Sequence, residues 1–121
     1  MKYIKRRSML TAEEVKELLL DLENERVERT ISTDNTEKFS QAICAFANDV
    51  CSTGLPGYLF IGAYDNGTLS RLKATDRLLK NLSSLRSEGN ILPAPSMSVY
   101  TVSFPEGDVV VIEVQPSKLT P

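Results

Sequence analysis

The sequence predicts an α+β fold in which a small mixed β-sheet is flanked by helices, with the elements in the order α-β-α-β-β-α-β-β. Three observations lead to this prediction. Apolar residues recur every three or four positions in three segments, near-continuous apolar runs mark short strands, and clusters of turn-forming residues separate them. The 121 residues, 41% hydrophobic and 25% charged, are typical of one globular domain, so we expect a single domain over residues 1–121.

The predicted helices cover residues 11–22, 34–51 and 75–88. Thr11 and Glu14 have the spacing of a capping box, in which each side chain bonds a backbone N–H of the first turn. Thr75 or Asp76 can cap the third helix in a similar way. The apolar stripes expected to face the sheet are Val15, Leu18, Leu19 and Leu22, then Phe39, Ile43, Phe46 and Val50, then Leu78, Leu79, Leu82 and Leu85.

The predicted strands cover residues 23–32, 58–63, 68–72, 98–104 and 108–115. Tyr58–Ala63 is almost wholly apolar, which is typical of a central strand covered on both faces. Asp65–Gly67 (DNG) is a tight-turn sequence that should join it to the return strand. In the first strand, alternation places Glu28 and Arg29 on opposite faces. The last two strands should form a hairpin about Pro105–Gly107.

Composition excludes several classes of protein. The chain has no histidine, which excludes His-based triads, Cys–His dyads and histidine metal ligands. Cys44 and Cys51 would lie roughly 10 Å apart on one helix, too far for a disulfide, and reduced thiols fit a cytoplasmic protein. No apolar run approaches the roughly 18 residues of a membrane span, so we expect no membrane contact. The net charge of −2 argues against a wholly electrostatic DNA clamp but allows a local basic face.

Four segments carry recognisable motifs: Glu23–Glu28 (ENERVE), Ala42–Asn48 (AICAFAN), Gly57–Gly67 (GYLFIGAYDNG) and Val109–Pro116 (VVVIEVQP). Together they resemble the Schlafen AlbA family over about residues 23–121. The two middle motifs are the specific ones, because both occur in order at the family's spacing. The resemblance implies a small sheet flanked by helices, the same fold that the apolar patterns predict.

The chain departs from the family pattern directly after Glu28. Family members usually continue with Phe-Lys, whereas this chain has Arg29 and Thr30, and the lysine would be the natural phosphate contact. Members of the family also continue into further strands and other domains. We therefore expect this chain to be the N-terminal piece of a longer protein, with residues 1–10 as a mobile basic arm.

The resemblance implies a candidate catalytic set of three carboxylates. In Schlafen-type ribonucleases such a set forms a metal-dependent nuclease site, and the matching residues here are Glu23, Glu28 and Asp65. They would bind Mg²⁺ or Mn²⁺, which orients phosphate and activates water. If the second helix lies against the Tyr58–Ala63 strand, the Asp65 turn should approach Glu28. The alternative is that the glutamates are solvated and that Asp65 is only a turn residue.

A second candidate site is a basic face in and before the third helix. Its members, with the basic N-terminal cluster, are Arg71, Lys73, Arg77, Lys80 and Arg86, then Lys5, Arg6 and Arg7. Arg77 and Lys80 are three residues apart and can share one helix face, opposite the leucine stripe. Such a face could contact phosphates. The alternative is an ordinary solvated helix face.

The leading prediction of function is a nucleic-acid-associated regulatory domain of a transcriptional regulator, of the kind described in bacteria. Its partner would be DNA rather than RNA, and we expect neither cofactor nor enzymatic activity. One alternative is the metal-dependent ribonuclease with Mg²⁺ or Mn²⁺. Another is a protein-interaction or homodimerisation module that uses the alanine-rich second helix and the apolar final strand as its seam.

Overall fold

Helices and strands alternate along the described residues, which are 9–49, 54–87 and 96–116 of a computed structural model. The elements are α1 (Ala12–Leu20), β1 (Val27–Thr30), α2 (Thr36–Ala47), β2 (Gly57–Ile61), α3 (Asp76–Ser83), a 3-10 turn (Ser84–Ser87), β3 (Met97–Phe104) and β4 (Gly107–Val114). The predicted α+β class and element order are confirmed. No helix in the described part of the chain is both long and apolar enough to span a bilayer.

The four strands form one mixed sheet in the order β1-β2-β4-β3. β1 and β2 are parallel and are joined by a crossover through α2, whereas β4 pairs antiparallel with both of its neighbours. β2 is buried throughout, and so are residues 109–114 of β4. The near-continuous apolar sequences of these two strands follow from their position, since both lie inside the sheet and are covered on both faces.

Helices cover both faces of the sheet, giving three layers. Leu59 and Ile61 of β2 pack against α2 and α3 on one face, and Tyr58 and Phe60 pack against α1 on the other. This division follows the two-residue period of a strand. The predicted packing of the second helix against the Tyr58–Ala63 segment is confirmed, with Phe39 of α2 fully buried in the same cluster as Leu59.

α1 begins as predicted and ends against a buried arginine. The Thr11 hydroxyl accepts a hydrogen bond from the Glu14 N–H at 3.1 Å, and the Glu14 carboxylate accepts one from the Thr11 N–H at 2.9 Å. At the other end, the guanidinium of Arg29 donates to three carbonyl oxygens, those of Leu18 (3.0 Å), Leu19 (2.9 Å) and Asp21 (3.0 Å). The Leu18 carbonyl also accepts the Asp21 N–H at 3.2 Å, and the Asp21 carbonyl also accepts the Asn24 N–H at 3.3 Å. The guanidinium therefore adds a charged donor at the end of the helix, where a positive charge is favoured by the negative end of the helix dipole.

Several predicted elements are shorter in the structure, and two of them end near a residue with positive φ. α2 ends at Ala47. Two residues later Asp49 adopts a φ of 50°, and a right-handed helix cannot continue through a residue with positive φ. The predicted end at Cys51 lies outside the described residues. The predicted return strand 68–72 is reduced to one antiparallel bridge between Ala63 and Leu69, since Arg71 takes a φ of 65° and turns the chain away from β2.

The final strand is not available as a dimer seam, which corrects that part of the interaction hypothesis. β4 is hydrogen-bonded to β2 on one side and to β3 on the other. Its apolar side chains from Val109 to Val114 are buried in the two hydrophobic clusters. Their hydrophobicity is therefore explained by the core of the domain.

Candidate nucleic-acid interface

Four of the predicted basic residues lie within one short stretch of the chain, residues 71–80, and are exposed. Arg71 and Lys73 belong to the loop that precedes α3, and Arg77 and Lys80 lie on α3 itself; all four side chains are exposed. The side chain of Arg86 is not among those described. Lys5, Arg6 and Arg7 lie outside the described residues.

α3 separates its leucines from its cations. The Thr75 hydroxyl caps the helix by accepting the Leu78 N–H at 3.1 Å, one of the two caps that the sequence suggested. Leu82 is buried against the sheet, and Leu78 and Leu79 pack beside it. The cations at positions 77 and 80 occupy the solvent-facing side, so the predicted opposition of a leucine stripe and a basic face is found in the fold.

The loop before α3 is held by the β3–β4 hairpin. The Asp108 N–H donates to the Leu72 carbonyl at 2.8 Å, and the Asp108 carboxylate accepts the Ala74 N–H at 2.9 Å. The bonds from the Ala74 N–H and the Ser103 hydroxyl, with the nearby charge of Lys73, lower the pKa of Asp108 below its ordinary value. The backbone that carries Arg71 and Lys73 is therefore hydrogen-bonded to the hairpin at Leu72 and at Ala74, on either side of Lys73.

Gly107 lets this loop approach the hairpin closely. A Cβ atom at position 107 would lie 2.6 Å from the Cα of Arg71, well inside van der Waals contact. Gly107 also has a φ of 146°. The backbone of Arg71 thus packs directly against the hairpin turn, and the arginine side chain is exposed to solvent. The sequence indicates this glycine only as part of a turn, because the residue that it approaches lies 36 positions away in the chain.

The three predicted catalytic carboxylates are not brought together. Glu23, Glu28 and Asp65 are all exposed. Glu28 lies level with Leu59 in the first half of the β1–β2 pairing, whereas Asp65 lies beyond the carboxyl end of β2. Among the described residues, no group of three or more Asp, Glu or Cys side chains is placed to hold a metal ion. The expected approach of the Asp65 turn to Glu28 is therefore not found.

Asp65 lies in the tight turn that its sequence predicted. The Tyr64 N–H donates to the Thr68 carbonyl at 2.8 Å, and the Gly67 N–H donates to the Tyr64 carbonyl at 2.9 Å. Gly67 has a φ of 90°, and a Cβ there would lie 2.5 Å from the Leu19 carbonyl oxygen. The turn is thus packed against the end of α1, and its glycine is required by both its backbone angle and this close contact.

The first motif instead contributes to a small acidic cavity beside α2. The cavity has a volume of about 150 Å³, and its lining includes Glu25, Arg26, Glu28, Phe46 and Asp49. Three carboxylates and one guanidinium in its lining favour cations over phosphate groups. Asp49 was not predicted as part of any site, because it comes to line the same cavity as Glu28 only through the packing of α2 on the sheet.

Residues 23–121 match the family model described as Schlafen, AlbA_2. The chain belongs to the Schlafen AlbA_2 family. Among solved structures, its fold is similar to the N-terminal domain of a protein from Nitrosomonas europaea described as ATP-dependent DNA helicase RecG-related, determined by solution NMR. The TM-score is 0.61 and the identity 22%, over 91% of this chain and 76% of the other. The comparison with curated proteins finds no match.

Arg29 accounts for the departure of this Schlafen AlbA_2 domain from the family's Phe-Lys. The side chain is 8% exposed and its guanidinium is engaged with the carbonyls at the end of α1. It therefore does not face solvent as a phosphate contact would. Thr30, at the next position, holds the β1–β2 edge through its carbonyl, which accepts the N–H groups of Gly62 and Ala63. Neither residue presents a cation to solvent where the family pattern has its lysine.

Proposed function

We propose that this Schlafen AlbA_2 domain is a nucleic-acid-associated regulatory domain of a transcriptional regulator, with DNA as the preferred partner. The contact surface is the basic segment, defined as Arg71, Lys73, Arg77 and Lys80. The observation that carries the proposal is that these four exposed cations lie on a loop and a helix that are both fixed to the core. Fixed cations lose less conformational freedom on binding than cations on a loose tail.

The distribution of charge supports binding at this side of the molecule. α3 packs over β3, at one edge of the sheet, whereas the acidic cavity lies beside β1 at the opposite edge. Phosphates would be attracted to the first side and repelled from the second. A net charge of −2 then limits overall affinity without cancelling the local field, so binding should be strongest at low salt.

The similar fold in a protein described as DNA helicase-related agrees with a nucleic-acid context. The preference for DNA is tested by measuring the fluorescence anisotropy of labelled duplex DNA, single-stranded DNA and RNA. The domain should bind duplex DNA at low salt, more tightly than RNA of the same length. Tighter binding of RNA would transfer the proposal to RNA, and no binding to any of the three would overturn it.

The basic segment is tested by salt dependence. Each phosphate contact contributes about 0.9 to the slope of log affinity against log salt concentration for duplex DNA, so Arg77→Ala with Lys80→Ala should lower that slope by roughly 2. The single variants Lys80→Ala and Lys16→Ala form a matched pair. Lys16 is also an exposed lysine on a helix, but it lies on α1, away from the basic segment. Equal loss of affinity in the two lysine variants would refute the assignment of the surface.

A further inference from the structure

β3 is an unusually unprotected edge of the sheet. It has eight residues, Met97–Phe104, and pairs with β4 on one side only; within the described ranges no strand lies on its other side. Edge strands in soluble proteins are normally short, or carry charges, prolines or bulges that prevent pairing with another chain. The sequence MSVYTVSF has no charged residue, no proline and no glycine, and its register with β4 runs without a bulge.

Alternate peptide groups of β3 point away from the sheet. The Gln115 N–H donates to the Ser96 carbonyl at 2.9 Å, which fixes the phase of the antiparallel ladder. Ser98, Tyr100 and Val102 therefore direct their peptide groups to β4. The residues that direct their N–H and C=O groups outward are Met97, Val99, Thr101 and Ser103. They form a continuous row of donors and acceptors along the open edge.

The side chains of β3 are also only half covered. Val99 packs toward α3 on one face, and Val102 packs toward α1 on the other. Both are partly exposed, whereas Val110 and Val111 on the neighbouring strand are fully buried. A further strand beside β3 would cover this remaining apolar surface and satisfy the outward peptide groups at the same time.

We propose that β3 is the interaction surface for a second copy of this chain, which adds its own β3 antiparallel across a two-fold axis. Two identical edges can approach only if they carry no like charges, and this edge carries none. A two-fold axis at Tyr100 pairs all four outward residues, with Met97 opposite Ser103 of the partner subunit and Val99 opposite Thr101 of the partner subunit. The edge is therefore self-complementary, as a symmetric dimer requires.

The resulting dimer would have one continuous sheet made of two four-stranded halves. Because α3 packs over β3, the two copies of α3 would lie beside the seam on the same face of that sheet. The interface consists mainly of one strand pair, so its area falls at the low end for specific complexes and the dimer should dissociate on dilution. The proposal does not depend on nucleic-acid binding.

Amide hydrogen exchange measured by NMR at low and high protein concentration tests the pairing directly. The N–H groups of Val99, Thr101 and Ser103 should exchange quickly in dilute solution and slowly in concentrated solution. Those of Tyr100 and Val102 should be protected in both, because they bond to β4. Fast exchange of the outward amides at every concentration would overturn the proposal. Protection that does not change with concentration would also overturn it, since another part of the same chain would then cover the edge.

Sedimentation of two variants at position 101 provides the matched control. Thr101→Pro removes an outward N–H without removing a bond to β4, so it should abolish the concentration-dependent dimer. Thr101→Val keeps the N–H and should sediment as the unmodified protein does. If Thr101→Pro does not fold, as judged by circular dichroism, the exchange experiment on the unmodified chain still decides. A proline variant that folds and still dimerises contradicts the pairing.

Discussion

Replacing Arg29 with methionine should destabilise the domain by removing the group that binds the end of α1. Methionine keeps the apolar stem of the side chain and ends where the guanidinium of arginine begins, so the change mainly removes the guanidinium. Three carbonyl oxygens lose the guanidinium as a donor, and those of Leu18 and Asp21 keep a backbone N–H donor from Asp21 and Asn24. The bond to Leu19 is buried, and those to Leu18 and Asp21 are partly buried.

The magnitude follows from these three bonds. Removing a charged donor costs about 2 kcal/mol when water cannot reach the acceptor that is left without it. This applies to the Leu19 carbonyl, because its bond to Arg29 is buried. Water can reach the other two carbonyls, so each adds about 0.5 kcal/mol. The sum is about 3 kcal/mol, a large part of the 5–15 kcal/mol that stabilises a typical domain. The melting temperature should fall by roughly 10 °C.

Urea unfolding followed by circular dichroism measures this change in the free energy of unfolding. Arg77→Met makes the same chemical substitution at an exposed site and should change stability by less than about 0.5 kcal/mol. Arg29→Lys should fall between the two, because an ammonium supplies the charge without the planar fork of donors. If Arg29→Met is as stable as Arg77→Met, the capping role assigned to Arg29 is wrong.

Two further substitutions test the contacts that position the basic segment and α2. Asp108→Asn should cost about 0.5 kcal/mol at neutral pH, because the site is open to solvent. The pKa of Asp108 is lower in the folded domain than its ordinary value of 3.8, so the ionised carboxylate stabilises the fold above pH 3.8. This stabilisation is lost as the pH falls below 3.8 and the carboxylate is protonated. In urea titrations over that pH range, the free energy of unfolding should therefore fall less in Asp108→Asn than in the unmodified protein. Gly57→Ala should cost about 1–3 kcal/mol, because the new methyl group overlaps the ring of Phe46. Adding Phe46→Leu should recover part of that loss, and strict additivity of the two changes would contradict the clash.

Local features of the sequence predicted local features of the fold. The capping box at Thr11 and the cap at Thr75 were read correctly, because each depends on residues three positions apart. Two of the boundaries that were missed, the end of α2 and the return strand, depend on single backbone angles. Aspartate is enriched at positive φ, but most aspartates do not adopt it, and arginine is not enriched there, so neither the early end of α2 nor the lost return strand was predicted from the sequence.

The candidate site divides in the same way. The basic face of α3 was predictable, since cations and leucines alternate with the period of a helix. The carboxylate set was transferred from the resemblance, which matches residues but not distances, and the strand register separates Glu28 from Asp65. The role of Arg29 was not predictable from either source, because its partners belong to a helix that lies across the sheet.

The burial of Arg29 beneath α1 has a practical consequence for anyone who divides this protein into fragments. The family match begins at Glu23, after α1 has ended. A polypeptide started there would present Tyr58, Phe60 and Val111 to water and would lack the Leu18, Leu19 and Asp21 carbonyls that bind the Arg29 guanidinium. The family match therefore begins one helix later than the unit that folds. A fragment for expression should begin before Thr11, so that it includes α1 and its capping box.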